Sequence, residues 1–477
     1  MICPLYQKTK EAPDDIFLES STGTYSYSDV NAAAYFFQNW LEDQDILEDD
    51  IIAVSELHPF VLTALLFACT RAGIILAILS DRDPNFSHES IAIRYDFQIL
   101  TQKQRKELED IVKEELWKNI IQTQEAPPII LENIPFTILF TSGSTSYHKA
   151  VVHSFMNHWA SAQNSFTNIP FQKGDRWLLS LSLWHIGGLA MIFRAILGGG
   201  TLITRSPSED LFTAIKNKKI THLSVVSTQL VRILPHSPFP SLKAVLVGGG
   251  PIPPYLIRTA VQNQLPIHTT YGMTELSSQC TTTNAGADLL DLLSAGAPLG
   301  DWEIKISEQE EILVKGKALF LGYWNGYFIE EPQDSEGYFH TKDTGVIENG
   351  KLYPIGRIDQ MFISGGENIH PEEIEKQLRK FVTQAIVVPI PNEEYGHRPI
   401  AFLYGEYELE EIIEHLSFHL PKFKHPDHFL PWPSQVSIIK PSRKLLHSLA
   451  ASLFQMHSPK NTQPSITQQL RPSSMEN

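Results

Sequence analysis

The sequence predicts an α/β fold: a large N-terminal domain of stacked α/β subdomains plus a β-rich subdomain, followed by a small α+β C-terminal domain. Three observations carry this. Up to about residue 300, apolar strand-like runs alternate with amphipathic stretches, the pattern of helices laid on sheets. After Asp301 the texture shifts to short strands and turns, over Glu303–Ile306, Glu311–Val314 and Gly337–His340. From Asp359 onward a compact α+β domain is expected, in which Pro371 opens a helix with Glu372 and Glu373 in its first turn. The expected boundaries are 1–358 and 359–455, with 456–477 a disordered tail rich in Ser, Gln, Pro and Asn.

Taken in order, the strands of the first domain include Ile51–Val54, Phe136–Phe140, Trp177–Ser180, Leu223–Val226, Ala244–Val247 and Leu265–Thr269. Phe60–Leu79 is apolar enough by length to suggest a membrane span. Arg71-Ala72-Gly73 interrupts it, and the β-branched run Ile74–Leu79 follows. The segment therefore reads as a buried helix, a glycine stop and a buried strand. The N-terminus, Met1 to Lys8, lacks the apolar core of a signal peptide.

The chain has 477 residues, of which 42% are hydrophobic and 19% charged, enough to fill two unequal globular cores. A net charge of −16 disfavours nucleic-acid binding, which calls for a basic patch. Cys3, Cys69 and Cys280 form no Cys-x-x-Cys pair, and neither His185 nor His268 has metal-ligand spacing. A reducing cytoplasm, with no disulfide framework and no integral membrane segment, is the expected setting.

The chemistry begins at Phe140-Thr141-Ser142-Gly143-Ser144-Thr145, where a strand opens into a loop of glycine and small hydroxyl residues with Lys149 beyond it. Such a loop lets backbone N–H groups approach a polyphosphate, the hydroxyls add donors, and a lysine neutralises charge. It is not a Walker loop, and by itself it could equally be a turn. Gly248-Gly249-Gly250 follows the Ala244–Val247 strand, and Tyr271 lies just beyond the Leu265–Thr269 strand. Ligands of doubly wound sheets sit outside such carboxyl ends. Glycines admit a flat base there, and an aromatic face can stack on it.

Further on come Tyr271-Gly272-Met273-Thr274-Glu275, Asp343-Thr344-Gly345, Gly356-Arg357-Ile358-Asp359 and Ser364-Gly365-Gly366-Glu367-Asn368-Ile369. Together with the Thr-Ser-Gly-Ser-Thr loop, and in this order, they resemble the core motifs of the adenylate-forming superfamily of acyl-CoA ligases, luciferases and adenylation domains. The resemblance spans roughly Tyr25 to Leu449 and implies ATP, Mg2+ and, as co-substrate, CoA. It places phosphates at Thr141, Ser142, Gly143, Ser144, Thr145 and Lys149, and adenine at Gly248, Gly249, Gly250, Tyr271 and Gly272. Thr274 is implied beside the α-phosphate and Glu275 at the magnesium, a hard cation for which one carboxylate plus waters suffices. Asp343 is implied at the ribose, with Arg357 a ribose or phosphate contact. The C-terminal domain becomes a mobile lid, with Asp359 its hinge and Gly365 and Gly366 lining a CoA tunnel. Lys440-Pro441-Ser442-Arg443-Lys444-Leu445-Leu446 resembles the motif of the adenylation lysine, which assigns Lys444 to charge developing at the α-phosphate. Catalytic roles thus fall on Lys444, Thr141, Thr274, Glu275 and His185.

Two segments depart from the pattern. Thr145-Ser146-Tyr147-His148-Lys149-Ala150 lacks the usual two glycines and proline, and Arg443 stands where the lysine motif has glycine. These changes leave open an adenylate-binding protein with weakened catalysis.

Leu181–Gly188, His222–Leu230, Ile363–Ile369 and Gly396–Phe402 are most similar to the o-succinylbenzoate–CoA ligases of menaquinone biosynthesis. His185, Arg194 and Gly272 are then the acid-binding residues. Arg194 lies in the apolar run Leu189–Leu197, where a guanidinium is costly without an anion. The aromatic carboxylate of succinylbenzoate could supply one. Alternatively the arginine reaches the surface or pairs with an internal acid, and another aryl- or acyl-CoA ligase remains the second enzyme reading.

Overall fold

The computed structural model describes residues 1–55, 57–80, 87–119, 126–141, 148–365, 367–392, 394–438 and 441–455. Ser142, Gly143, Ser144, Thr145, Gly366 and the 456–477 tail lie outside the described residues. The chain divides into two compact units, Met1–Asp359 and Gln360–Asn477.

The first unit is built on three sheets. In the nine-stranded sheet, Ile267–Met273, Ala244–Val247, His222–Val225, Arg176–Leu178, Thr201–Ile203 and Ile16–Glu19 run parallel in that spatial order. Antiparallel strands close both ends: Ser278–Thr282 and Ala297–Pro298 on one, Thr24–Ser26 on the other. The seven-stranded sheet has a parallel group, Gln98–Ile99, Ile51–Val54, Ile75–Ile78 and Pro135–Thr141. Lys149–Ser154, Gly322–Trp324 and Ile329–Glu330 extend it antiparallel. The Ala244–Val247 strand is buried at every position, which is why it reads as a continuous apolar run. The β-rich part after Asp301 is a four-stranded antiparallel sheet, Glu303–Ile306, Glu311–Lys315, Phe339–Glu348 and Lys351–Arg357.

Residues 60–79 fold as their composition predicts. Pro59 starts a helix that runs to Ala72 with Phe60 through Thr70 buried, Gly73 caps it at φ +71°, and Ile75–Ile78 is a strand. No helix among the described residues is long and apolar enough to cross a membrane. Helix Ile186–Gly198 and helix Phe155–Phe166 share a core in which Phe193 stacks on His158 and meets Phe155 edge-on. A Cβ on Gly198 would lie 1.6 Å from the Phe171 carbonyl oxygen, so only glycine lets this helix end against that chain.

Two strands differ from expectation. The Leu265–Thr269 strand instead runs Ile267–Met273, so Tyr271 and Gly272 lie inside it rather than beyond it. Ser278–Thr282 folds back and pairs with residues 270–273, supplying the partners that prolong it. The short strand expected at Gly337–His340 is the ten-residue Phe339–Glu348, and it carries Asp343-Thr344-Gly345 within a ladder rather than in a turn.

The second unit is an α+β sandwich. Glu367–Ile369, Phe362–Ser364, Gly396–Tyr404 and Gln384–Asn392 form an antiparallel sheet, with His428–Pro431 parallel to Gly396–Tyr404. Helices Pro371–Leu378 and Leu409–His419 cover one face through Ile374, Leu378, Ile412 and Leu416. Helix Arg443–Gln455 covers the other through Leu446 and Ala450.

Burial pushes the imidazoles of His58 and His153 down to about 4. His58 Nδ1 accepts the Phe60 N–H at 3.3 Å, a bond that a protonated ring cannot make. Both groups are neutral when folded yet titrate near 6.5 when unfolded, so the unfolded state binds more protons between those values. Their stabilisation is full above about pH 6.5 and is lost as pH falls toward 4. Urea midpoints should therefore drop between pH 7.5 and pH 5, and the drop should shrink in His153→Asn. An undiminished drop in that variant would remove His153 from this account.

Candidate active site

A single hairpin of the first unit carries Tyr271, Gly272, Thr274 and Glu275 and bonds Asp343 and Arg194. Its strands, Ile267–Met273 and Ser278–Thr282, are joined by a short 3-10 turn, Thr274–Leu276, capped by Ser277 at φ +51°. The register slips between Tyr271 and Gly272, and a Cβ on Gly272 would lie 1.8 Å from the Ser278 carbonyl oxygen. Glycine is therefore required for the two strands to close.

Tyr271 is 9% exposed and shares a core with Leu276, Cys280 and Trp302. Its hydroxyl donates to Asp343 Oδ2 at 2.7 Å. Arg357 Nη1 stands 3.3 Å from Asp343 Oδ1, and Arg357 Nε donates to Asp359 at 3.0 Å. Burial raises the Asp343 carboxyl above its ordinary range, while the Tyr271 hydroxyl and Arg357 oppose the shift. Burial, reinforced by Asp343, raises the Tyr271 phenol, so it remains the donor. Beside these residues, Gly248, Gly249 and Gly250 follow the carboxyl end of Ala244–Val247, with Gly249 at φ +78° and Gly248 against Thr270. Glycine backbone and a half-buried carboxylate thus lie near the strand ends where such sheets bind nucleotides.

Thr274 and Glu275 occupy the turn. His153 Nε2–H donates to the Thr274 carbonyl at 2.8 Å, and its ring lies 4.8 Å from that of His158. Tyr323 O–H donates to Glu275 Oε1 at 2.9 Å. The other carboxylate oxygen and the Thr274 hydroxyl have no hydrogen-bond partner among the described residues. Lys149 stands opposite Thr141 in the sheet register, with its ammonium 4.6 Å from the centre of the Tyr323 ring. Tyr323 thus touches both Lys149 and Glu275. Among the described residues no cluster of three acidic, histidine or cysteine side chains could cage a metal ion. One carboxylate with a free oxygen suits Mg2+, which takes its remaining ligands from phosphates and water.

Arg194 and His185 share helix Ile186–Gly198. His185 is the exposed N-cap residue, its ring 6.0 Å from Trp184. Arg194 is 2% exposed, which excludes a side chain reaching the surface. Its Nη2 donates to Gln279 Oε1 at 2.7 Å and to Ser278 Oγ at 3.4 Å, and the guanidinium lies 5.3 Å from the centre of the Trp177 ring. No internal acid pairs with it among the described residues, which removes the other structural alternative. Burial lowers its pKa to about 10, leaving it protonated at neutral pH.

The second unit holds Gly365 and Lys444. Gly365 has φ +60°, and a Cβ there would lie 2.9 Å from the Tyr395 ring. Lys444 lies exposed in the first turn of helix Arg443–Gln455 and has no hydrogen-bond or ion-pair partner for its ammonium among the described residues. Arg443, beside it, turns inward. Its Nη1 donates to Glu375 Oε1 at 2.6 Å and to the Val387 carbonyl. Glu375 is 1% exposed and also receives Arg379 and the Val387 N–H. Arg443 therefore fixes the start of the helix on which Lys444 stands.

His153, Tyr323, Gln279, Ser278 and Trp177 are site residues that the sequence reading does not single out. His153 carries a faint signal, a polar residue closing the apolar run Ala150-Val151-Val152.

Residues 5–324 match the AMP-binding enzyme family. The 2-succinylbenzoate–CoA ligase of Oceanobacillus iheyensis is 30% identical over 454 residues, covering 88% of this chain and 93% of its own. Among solved structures, o-succinylbenzoate CoA synthetase of Bacillus subtilis in complex with the acyl-adenylate intermediate OSB-AMP matches with a TM-score of 0.81 at 28% identity, over 94% of this chain and 98% of that one. The same enzyme in complex with ATP and magnesium ion gives 0.80 at 27% identity, over 92% and 97%.

Gly272→Ala tests the geometry of the hairpin. The added methyl meets backbone rather than a flexible side chain, so the strands must separate at a cost of about 1–3 kcal/mol or more. The first unit should unfold at lower urea, and nucleotide binding measured by calorimetry should weaken. Unchanged stability together with unchanged binding would refute the close contact.

Proposed function

The chain belongs to the AMP-binding enzyme family, in the branch of the 2-succinylbenzoate–CoA ligases, and from that premise we propose that it joins 2-succinylbenzoate to CoA at the expense of ATP. In the first half-reaction the succinyl carboxylate oxygen attacks the α-phosphorus, the bond to pyrophosphate breaks, and an acyl-adenylate forms. In the second, the CoA thiolate attacks the acyl carbon, the acyl–phosphate bond breaks, and AMP leaves. The setting is cytoplasmic, within menaquinone biosynthesis.

The observation that carries the choice of acid is Arg194, a buried cation that among the described residues meets only neutral groups. It suits the aromatic carboxylate, which the reaction leaves intact. We assign Asp343 and Arg357 to the ribose, with Tyr271 fixing Asp343 by its hydroxyl. The backbone at Gly248, Gly249, Gly250 and Gly272 receives the base. Thr141, Ser142, Gly143, Ser144, Thr145 and Lys149 hold phosphates, and Thr274 the α-phosphate. Glu275 holds Mg2+, which when bound offsets phosphate charge. His185 lies at the acid site. Asp359 is the hinge of the second unit, and Gly365 and Gly366 line the path of CoA. No covalent enzyme intermediate is needed: the protein positions the reactants and stabilises developing charge.

Pyrophosphate release with a panel of carboxylic acids tests the function directly, and 2-succinylbenzoate should give the highest kcat/KM. Arg194→Ala should lower that value by about 2–5 kcal/mol in activation terms, the range for stranding one member of a buried charge pair. A flat panel would leave only an acid–CoA ligase of another specificity. Absence of release with every acid would favour an adenylate-binding protein instead.

Lys444 is assigned to the charge that develops at the α-phosphate. Lys444→Ala should slow acyl-adenylate formation on the order of 10²-fold, while thioester formation from supplied acyl-adenylate largely survives. Lys440, four residues earlier, serves as the control. If Lys440→Ala produced that split and Lys444→Ala did not, the catalytic ammonium would belong to position 440.

A further inference from the structure

Arg194 carries a charge that the fold leaves uncompensated. Its nearest partners are all neutral: the Gln279 amide oxygen, the Ser278 hydroxyl and the face of Trp177. Its enclosed Nε has no acceptor among the described residues. A buried guanidinium without an anion is costly, and no acidic side chain among those described relieves it.

Gln279 holds this arrangement in place. It is 2% exposed, its Nε2 donates to Thr282 Oγ1 at 2.6 Å, and Ser165 Oγ lies 3.4 Å from its Oε1. With the amide nitrogen directed to a hydroxyl, the amide oxygen is left facing Arg194. Glutamate has the same length and shape and would supply a full counter-charge, yet the position holds the neutral amide. Its backbone is fixed by the close approach at Gly272, whose Cβ would meet Gln279 Cα at 2.7 Å.

We propose that Gln279 is a specificity-determining residue whose neutral amide leaves the charge of the Arg194 guanidinium uncompensated, so that a second carboxylate of the acid, remote from the reacting one, supplies the counter-ion. Neutrality at position 279 then sets the preference for a dicarboxylic over a monocarboxylic acid. This rests on the proposed 2-succinylbenzoate ligase reading.

The experiment compares kcat/KM for 2-succinylbenzoate with that for its methyl ester at the aromatic carboxylate, in wild type, Gln279→Glu and Gln279→Met. Wild type should prefer the diacid. Gln279→Glu gives Arg194 an internal partner, so it should lose diacid activity on the order of 10- to 100-fold, the scale of one charge-assisted contact. The loss on the ester should be much smaller than the loss on the diacid in that variant. Gln279→Met keeps the site neutral and should retain most of the diacid preference, and calorimetric binding of the diacid should follow the same order. A merely structural role predicts equal losses on both substrates in both variants. Equal losses, or a diacid preference that survives in Gln279→Glu, would overturn the proposal. Loss of the preference in Gln279→Met would do the same if Gln279→Glu does not fold. A wild type with no diacid preference would overturn the substrate reading itself, and this proposal with it.

Discussion

A single close approach organises the first unit: the Gly272 backbone lies against Ser278 so tightly that a side-chain carbon would sit 1.8 Å from its carbonyl oxygen. That contact closes the hairpin near one end of the nine-stranded sheet. Along the hairpin lie Tyr271, which bonds Asp343, then Thr274 and Glu275 in the turn, then Ser278 and Gln279, which bond Arg194. The groups we assign to a nucleoside, to phosphates with their cation and to the far end of an acid are thus spaced along about nine residues of one hairpin. Rigid spacing is what a reaction between two bound substrates requires, since orientation supplies much of the rate.

The charges of the site are held by neutral donors and acceptors more than by opposite charges. Asp343 accepts from a phenol hydroxyl, Glu275 from a second phenol and the Thr274 carbonyl from a neutral imidazole, while Arg194 donates to an amide oxygen. Neutral partners orient a charge without cancelling it, so it stays available to a ligand. Arg357 is the exception, bridging Asp343 and Asp359. It links the ribose candidate to the last residue of the unit.

In the second unit the glycine of the lysine motif is replaced by Arg443, and the fold absorbs the larger side chain by turning it inward. Glu375, enclosed between helix and sheet, receives Arg443, Arg379 and a backbone N–H, so a buried carboxylate is satisfied on every side. Breaking such a group apart is costly, because it strands a buried charge. Arg443 therefore stiffens the base of its helix, and Lys444 stands on that helix with its ammonium free of partners among the described residues.

The sequence by itself determined the α/β class, the helix and strand of residues 60–79, the first-turn signals at Pro371 and the order of the motifs. These depend on period, on caps and on composition, all local properties of the chain. It also marked Arg194 as anomalous, since a guanidinium in an apolar run needs an explanation in any fold. Only the tertiary structure decided that Tyr271 and Asp343 lie inside strands, because each strand is prolonged by a partner folded back against it. For Asp343 a sequence cue exists, the Asn349-Gly350 turn with both residues at positive φ. For Gln279, Tyr323 and His153 there is hardly any, because their roles come from Arg194, Glu275 and Thr274, which lie 85, 48 and 121 residues away in sequence. An amide, a phenol and an imidazole look ordinary in the linear chain, and they acquire meaning only from the charge or carbonyl that folding sets beside them.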